Sequence, residues 1–426
     1  MEVTILAVMI GLLLLGFPMM VPLLAAVFVG FFIFIPSLNP TIIVQQMISG
    51  ISPVALIAVP MFIFAADIVT KGHTADRLLD LAMSFVGHVR GGLAITTALG
   101  CTMFGAVSGS TQATVVAMGS PLRPKMLDAG YKDSFTLALI INASDIAFLI
   151  PPSIGMIVYG VVAKTSIGEL FLAGVVPGLM ILAMFSVFCW IYARVNNIPT
   201  QPKASWSERI RIAKRAGLAA FFPILIIGGI YAGLFSPTEV AAIAVLYAFI
   251  LEVFIFRAVK LSEVPSIAFS TGMITAVVFI LVGAGAAFSW VISFAQVPQA
   301  VIGGLGLEGA GPTMTLIAIT IAYFIGCMFV DPIVVILVLT PIFAPLVAAA
   351  GLDPVHVGTL VTLQVAIGSA TPPFGCDIFT AMAVFRRPYM DVIRGTPPFI
   401  FILVLAAALL IAFPQIALFL PTLALR

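Results

Sequence analysis

The chain has 426 residues, of which 62% are hydrophobic and only 8% are charged, and its formal net charge is +2. Soluble proteins carry about 25% charged residues, so this composition excludes a water-soluble globular protein and predicts an all-α polytopic membrane protein. The four cysteines and three histidines are dispersed without metal or redox spacing, so we expect no enzyme, no cofactor and no transition metal.

Apolar stretches of about 20 residues, the length that crosses a bilayer, recur along the chain. Residues 1–15 lack a basic start and a small-residue cleavage site, so we expect them to stay in the mature protein. Two other stretches, 92–127 and 312–349, are typical of paired shorter helices. Full spans are predicted at 1–17, 20–36, 52–71, 134–164, 171–194, 217–235, 238–257, 265–293, 355–385 and 397–424.

The basic residues assign the two sides of the membrane. With the spans in alternation, only Lys164 and Arg426 fall on one side, and the remaining 17 of the 19 Lys and Arg fall on the other. Cytoplasmic loops carry such an excess. We therefore predict a multi-pass protein of a bacterial inner membrane with both termini in the periplasm.

Two polar segments are predicted on the cytoplasmic side. Residues 75–89 are amphipathic, with Arg77 and Asp80 opposite an apolar stripe, and are expected to lie along the membrane interface. Residues 195–216 form a basic cytoplasmic linker between an N-terminal half, 1–194, and a C-terminal half, 217–426. Its charge favours contact with anionic lipid rather than with nucleic acid.

The two halves match at a constant offset of 221 residues. This offset takes Gly105 to Gly326 and the tandem prolines at 151–152 to those at 372–373. The charge map gives the halves opposite orientations, so they are predicted to be inverted repeats, as in many secondary transporters. Each repeat contains one helical pair, 92–127 or 312–349, and one proline-broken span, 134–164 or 355–385.

The tips of the two helical pairs carry the first candidate site residues. Each leg has about 16 residues, or roughly 24 Å, so the pairs are either re-entrant hairpins or short full spans. Hydroxyl and carbonyl oxygens at a flexible tip suit a hard cation, although small residues also allow close helix packing. The second tip carries Asp331, which is either a functional midplane carboxylate or a structural partner of a helix N-terminus. The first tip carries Gly105, Ser108, Ser110, Thr111 and Gln112.

The proline breaks carry the second group of candidates. Tandem prolines leave carbonyl groups without helical partners, and within a membrane either a cation or packed polar side chains must satisfy them. Two other acids, Asp67 and Glu252, lie near the cytoplasmic ends of spans, where snorkelling or a local pair is the expected role. Polar residues near the breaks are Asn142, Ser144, Asp145 and Ser153 in the first half, and Ser369, Thr371 and Asp377 in the second.

Four motifs carry a resemblance to a known family. They are GAVSGSTQATVVAMG (105–119), INASDIAFLIPPS (141–153), FSPTE (235–239) and VAIGSATPPFG (365–375). Together they resemble the large membrane subunit of the tripartite ATP-independent periplasmic (TRAP) transporters, and the resemblance extends over the whole chain. Within this family the sequence is most similar to the sialic-acid transporters.

The resemblance implies a fold, a function and partners. Members of the family use Na⁺ as the coupling ion for symport of an organic acid, which a periplasmic substrate-binding protein delivers. A small four-helix membrane subunit packs against the large one, and we expect it to be a separate chain here. The fold resembles elevator-type transporters, in which a core of hairpins and broken spans slides against a scaffold.

The resemblance also assigns cation ligands. The first Na⁺ site maps onto Gly105, Ser108, Ser110, Asp145 and Pro151, and the second onto Gly326, Asp331, Gly368, Thr371 and Pro372. The remaining polar residues of the tips and breaks are candidate substrate ligands: Thr111, Gln112, Asn142, Ser153, Ser369 and Asp377.

Three alternatives remain open from the sequence. The first is a stand-alone Na⁺/dicarboxylate carrier of similar fold, which would need no periplasmic partner. The second is an intramembrane enzyme, which would need a nucleophile–base or metal-ligand cluster that the dispersed histidines do not provide. The third is a passive channel, which does not explain duplicated proline breaks in opposed orientation.

Overall fold

A computed structural model describes residues 2–34 and 38–424, so Met1 and Arg426 lie outside the described residues. The described part is helical and contains no β-strand, which confirms the all-α prediction. Within it, six helices are long and apolar enough to cross a membrane, or seven if one bent pair near the C-terminus forms a single span.

The described residues of the first half form a group of helices, then a helical hairpin, a span broken at the tandem prolines and a long final helix. A 3-10 turn, Val54–Ile57, precedes α4, and another, Asp145–Phe148, follows α8. The helices are α1 (Glu2–Leu14), α2 (Met20–Phe34), α3 (Thr41–Ile51), α4 (Ala58–Lys71), α5 (Thr74–Val86), α6 (Gly92–Ser108), α7 (Thr111–Asp128), α8 (Asp133–Ser144), α9 (Ile154–Val162) and α10 (Ile167–Val195).

The second half repeats this order. A π-helical turn, Ile250–Ile255, extends α12. The helices are α11 (Trp206–Tyr231), α12 (Pro237–Phe249), α13 (Val264–Phe294), α14 (Val297–Gly304), α15 (Pro312–Phe329), α16 (Pro332–Ala349), α17 (Pro354–Ser369), α18 (Cys376–Phe385), α19 (Tyr389–Ile393), α20 (Pro397–Ala412) and α21 (Gln415–Ala424).

Two segments differ from the sequence-based expectation. Residues 41–51, expected as a connection, form α3, whose first N–H is bound by the side chain of Asn39; this helix is too short to span a membrane, so hydropathy alone does not detect it. The expected linker, 195–216, is helical from Trp206 onward, because the Ser205 hydroxyl caps α11 by accepting the N–H of Glu208 at 3.2 Å.

The offset of 221 relates helices as well as motifs. It takes the hairpin α6–α7 to α15–α16 and places α14 opposite α5. If 221 is subtracted from its residue numbers, the continuous helix α13 corresponds to residues 43–73. In the first half this stretch holds α4 and most of α3. The difference arises at Pro53, because proline removes a helical hydrogen bond and ends α3, whereas the equivalent position holds Ile274.

The helices pack into two groups that meet along one boundary. Hairpins, broken spans and α10 pack together, and α10 approaches the first break so closely that a Cβ on Gly174 would lie 2.1 Å from the Leu149 carbonyl oxygen. Helices α1–α4, α12 and α13 pack into the second group. Across the boundary, α13 contacts α16, where Leu337 covers Gly285.

Candidate functional site

The tip of the first hairpin lies against the first proline break. Gly109, between α6 and α7, has a left-handed φ of +61°, and a Cβ there would lie 2.3 Å from the carbonyl oxygen of Pro152. The Ile154 N–H donates a hydrogen bond to the Gly109 carbonyl at 3.3 Å. One turn earlier, a Cβ on Gly105 would lie 2.6 Å from that of Ala147. Both positions therefore need glycine for backbone-close packing.

The hydroxyl groups of this tip bond mainly to one another. Ser108 Oγ lies 3.1 Å from Thr114 Oγ1, and Thr114 Oγ1 donates to the Ser110 carbonyl at 2.8 Å. Ser110 Oγ caps α7 by accepting the Ala113 N–H at 3.4 Å. These bonds fix a compact turn whose oxygen atoms are concentrated next to the break.

The second tip packs on the second break in the same way. The Phe374 N–H donates to the Met328 carbonyl at 3.1 Å, and a Cβ on Gly368 would lie 2.6 Å from that of Cys327. Asp331 Oδ1 accepts the Ile333 N–H at 2.9 Å and so caps α16. Asp331 is the 221-offset equivalent of Ser110, which caps α7. Asp331 therefore acts as a structural partner of a helix N-terminus, whether or not it also has a second role.

Asp377 connects the hairpin of one half to the broken span of the other. Its fully buried carboxylate accepts a hydrogen bond from Thr111 Oγ1 at 2.9 Å and another from Ser369 Oγ at 2.7 Å. The side chains of Gln112 and Cys376 also interact by a hydrogen bond. Two hydrogen bonds to this carboxylate offset much of the free-energy cost of burying it.

The two tips share a small cavity of about 50 Å³. It is lined by 109–112 of the first tip, 331–333 of the second tip, and Phe148 and Ile154 beside the first break. The structure therefore brings the tips of the two hairpins together.

Asp145 is the most unusual polar group in this region. It is fully buried, and neither carboxylate oxygen receives a hydrogen bond from any residue that the structure describes. Asn142 Oδ1 and Gln364 Nε2 are likewise buried and unpaired within the described residues. The carboxylate of Asp377 acts on Asp145 electrostatically. Two buried carboxylates with one of them unpaired form an environment that favours a small cation.

Four of the expected ligands make local contacts within their own halves. Gly326 faces Val335 of its own hairpin and lines an apolar cavity of about 280 Å³ together with α1 and α2. Asn142 Nδ2 donates to the Ala138 carbonyl at 2.8 Å within α8. Ser153 caps α9, and Thr371 Oγ1 donates to the Ile367 carbonyl at 2.6 Å.

The two proline breaks themselves are alike in backbone geometry. The peptide bonds between Pro151 and Pro152 and between Pro372 and Pro373 are both cis. In the second break, the Tyr389 hydroxyl of α19 donates to the Pro373 carbonyl at 2.9 Å. A side chain therefore satisfies part of the freed backbone.

Sequence reasoning missed two residues near the breaks. Gln364, buried within α17, leaves its amide nitrogen unpaired among the described residues, and Cys376 begins α18 beside Gln112. A lone glutamine within the apolar run VTLQVAIGS was a visible signal. The cysteine gave none, because its role depends on a contact between the two halves.

The two acids near the cytoplasmic ends of spans have local partners. Glu252 is fully buried and accepts the N–H groups of His73 and Thr74 at 2.9 and 3.0 Å, so it caps α5 from another element. Asp67 accepts a hydrogen bond from Thr271 Oγ1 at 2.6 Å. The expectation of local pairs is confirmed for both.

Comparisons with known proteins agree with this geometry. Residues 6–416 match the family model "Tripartite ATP-independent periplasmic transporter, DctM component". The chain is 67% identical over 421 residues, 99% of both chains, to the ectoine TRAP transporter large permease protein TeaC of Halomonas elongata. It is also 67% identical over 425 residues to the ectoine/5-hydroxyectoine large permease protein UehC of Ruegeria pomeroyi, covering 100% of this chain and 99% of that one.

Two other similarities are weaker. The sialic acid large permease protein SiaM of Vibrio cholerae is 34% identical over 414 residues, 97% of both chains. The chain is thus more similar to the two ectoine permeases, at 67% identity, than to this sialic-acid permease, so the expectation of greatest similarity to sialic-acid transporters is wrong. The crystal structure of the Alcanivorax borkumensis YdaH transporter superposes with a TM-score of 0.62 at 16% identity, covering 88% of this chain and 87% of that one. This last likeness shows the fold alone.

Proposed function

The chain belongs to the family of the DctM component of tripartite ATP-independent periplasmic transporters, and from this premise we propose that it imports ectoine or 5-hydroxyectoine by symport with Na⁺. Membership makes it a large transport subunit in the membrane and not an enzyme. The substrate, the coupling ion and the motion are the parts that we propose.

The substrate proposal is supported by the two relatives named as ectoine permeases, each 67% identical to this chain over almost its full length. Ectoine is a compact organic acid in which one carboxylate is attached to a ring with a delocalised positive charge. We propose ectoine instead of sialic acid, the substrate expected from the motifs, because the sialic-acid permease is only 34% identical to this chain.

The coupling proposal depends on one observation, the buried and unpaired carboxylate of Asp145. An isolated buried charge costs several kcal/mol unless a partner compensates it. We assign Na⁺ to this position, with the oxygen atoms around Gly105, Ser108, Ser110 and Pro151 as its surroundings. The second cation site is proposed at Gly326, Asp331, Gly368, Thr371 and Pro372.

The partner proposal follows from the names of the relatives. They are called large permease proteins of TRAP transporters, which implies a small membrane subunit and a periplasmic substrate-binding protein. In this scheme the binding protein selects the substrate. The described core supplies no arginine at the tips, since Arg123 and Arg387 are both paired with Asp133 away from them.

The motion that we propose is an elevator movement. Asp377 connects the first hairpin to the second broken span by hydrogen bonds to Thr111 and to Ser369. Such links across the two halves favour a core that moves as one body. Rocking of one half against the other would have to break them.

Uptake of labelled ectoine into proteoliposomes tests the proposal. The vesicles contain both membrane subunits, the binding protein is added outside, and each partner and each ion is omitted in turn. We expect uptake only with an inward Na⁺ gradient and with all partners present. Uptake that persists after K⁺ replaces Na⁺ would contradict the coupling. Uptake by the large subunit alone would support the stand-alone carrier instead.

A further inference from the structure

A second polar cavity, larger than the one between the tips, lies on the boundary between the two helix groups. Its volume is about 550 Å³, which is within the usual range of 300–1,000 Å³ for small-molecule sites. It lies between α3 and α13 on one side and α9 and α16 on the other. We call it the outer vestibule and define it by Gln46, Ser49, Lys164, Ser289, Trp290 and Ser293.

The outer vestibule belongs to the half of the molecule that the charge map assigns to the periplasm. Lys164 follows the end of α9, and Ser293 lies in the last turn of α13, so both mark the predicted outer ends of their elements. Leu337 of the second hairpin also lines the cavity, and its Cβ lies 2.9 Å from the position that a Cβ on Gly285 would take. The cavity therefore lies at the boundary between the two helix groups, across which we expect the core to move. It is about two turns of α16 from the tip residue Asp331.

The lining combines one cation with neutral donors and an aromatic ring. Lys164 is exposed to the cavity and makes no ion pair among the described residues. It is one of only two basic residues on the predicted outer side, which otherwise carries acids such as Glu169 and Glu308. A free ammonium group beside serine hydroxyls suits a carboxylate.

The aromatic ring suits the other end of the proposed substrate. Trp290 lines the cavity, and its ring centroid lies 6.3 Å from that of Phe31 and 5.6 Å from that of Phe294. An indole face attracts a delocalised cation within about 6 Å by about 0.5–2 kcal/mol. Lys164 and Trp290 therefore offer complementary contacts to a compact zwitterion.

We propose that the outer vestibule is an entry subsite that binds the carboxylate of the incoming substrate through Lys164 and its cationic ring through Trp290, before the substrate reaches the hairpin tips. This inference rests on the proposed function. It adds a recognition step in the large subunit that is separate from the cation sites.

Ectoine uptake by the complete transporter in proteoliposomes tests the subsite. We expect Lys164→Gln to raise the half-saturating concentration of loaded binding protein about tenfold, which corresponds to loss of about 1.4 kcal/mol. Lys164→Arg should restore most of the affinity, and Trp290→Leu should produce a loss similar to that of Lys164→Gln. Matched controls are Lys203→Gln and Trp206→Leu, which are exposed and distant from the cavity.

A direct readout separates binding from folding defects. With the native cysteines replaced, Ser289→Cys should react with an impermeant thiol reagent applied outside, and ectoine should slow this reaction at least about threefold. Thr313→Cys, exposed at the start of α15 and outside the cavity, should react without protection. The Na⁺ concentration for half-maximal uptake should be unchanged in all vestibule variants.

The outcomes distinguish this inference from the proposed function. Wild-type vesicles that import no ectoine overturn the proposed function. Normal wild-type uptake with unchanged Lys164→Gln and Trp290→Leu variants, or with no protection of position 289, overturns only the subsite. An effect of Lys164→Gln that disappears in vesicles of phosphatidylcholine, without anionic lipid, assigns the cavity to a lipid headgroup and also overturns it.

Discussion

Burying a carboxylate without hydrogen bonds is among the most expensive arrangements in a protein interior, and Asp145 is buried in this way within the described residues. Asp331 and Asp377 differ from it, because each accepts hydrogen bonds. The three carboxylates near the tips therefore have different tasks. Asp145 has no hydrogen-bond partner among the described residues, Asp331 caps a helix, and Asp377 joins two elements.

The first prediction concerns Asp145. Asp145→Asn removes the charge while keeping the side-chain volume, so it should raise the Na⁺ concentration for half-maximal ectoine uptake by more than about tenfold. Asp128→Asn, at the exposed end of α7, is the control and should leave uptake unchanged. Identical Na⁺ dependence in the Asp145 variant and the wild type would remove Asp145 from the cation site.

The second prediction separates the two roles of Asp331. Asparagine and aspartate are equally good N-caps, whereas alanine loses about 1 kcal/mol of helix stability. Asp331→Asn should therefore keep the thermal stability of the purified protein, and Asp331→Ala should lower it. Both should weaken Na⁺ dependence if the charge contributes to the second site. Normal Na⁺ dependence in both variants would leave Asp331 as a cap alone.

At the residue scale, the sequence predicts which residues gather but not which atoms remain free. The glycine and serine composition of the first tip and the proline breaks indicate a polar centre, and in the structure the tip packs on the first break. Whether Ser108 faces an ion or another hydroxyl depends on rotamers, and the free side of Gly326 depends on helix rotation. Neither is encoded in spacing along the chain.

At the element scale, one ionic network joins segments that are distant in sequence. Asp133 at the start of α8 accepts two hydrogen bonds from Arg123 of α7, at 2.7 and 2.8 Å, and lies 3.0 Å from Arg387 after α18. These side chains are partly exposed, so the bidentate network contributes about 1 kcal/mol rather than the larger value of a buried pair.

The third prediction tests this network. Asp133→Asn leaves two arginines without their shared partner and should lower the apparent midpoint of thermal unfolding in detergent, by an amount that corresponds to about 1 kcal/mol. Glu208→Gln is the matched control, because Glu208 and Arg211 are 3.8 Å apart and well exposed. Equal loss in both variants would show that Asp133 has no special role.

The fourth prediction concerns Glu252 and the amphipathic helix α5. Glu252→Ala removes the acceptor for the first N–H groups of α5, so hydrogen exchange should become faster over residues 73–78. Glu252→Gln keeps one acceptor oxygen and should show a smaller increase. Unchanged exchange in the alanine variant would mean that packing alone holds this helix.

Among the elements, long apolar helices were predictable and short ones were not. The amphipathic segment 75–89 was found as α5, because its pattern has helical period. Helices α3 and α14 were missed, since each is shorter than a span. The helical start of α11 was hidden by its basic composition.

At the scale of the whole molecule, the packing enlarges the body that we expect to move. The sequence predicts a core of 92–164 and 312–385. In the structure, α10 approaches the first break at Gly174 and Gly178 with almost no intervening side chain. A helix packed so closely cannot slide past its neighbour without large rearrangement. We therefore place α10 with the moving core.

The fifth prediction tests this division with two disulfides. Gly285→Cys with Leu337→Cys crosses the boundary, where the Cβ atoms would be 2.9 Å apart, and should block uptake until it is reduced. Gly178→Cys with Leu149→Cys lies within the enlarged core at 3.5 Å and should leave more than about half of the uptake. The reverse pattern would exclude the elevator motion.

The break at Pro53 also has a consequence for the symmetry of the molecule. The two halves match at an offset of 221 residues, yet the first interrupts the helix that the second keeps whole as α13. The resulting short helix, α3, supplies Gln46 and Ser49 to the outer vestibule, whereas the matching part of α13 supplies Thr271 and Gly272 to a largely apolar cavity of about 660 Å³. The interruption therefore places polar residues where the matching helix lines an apolar wall, so the two halves offer different surfaces to a polar solute.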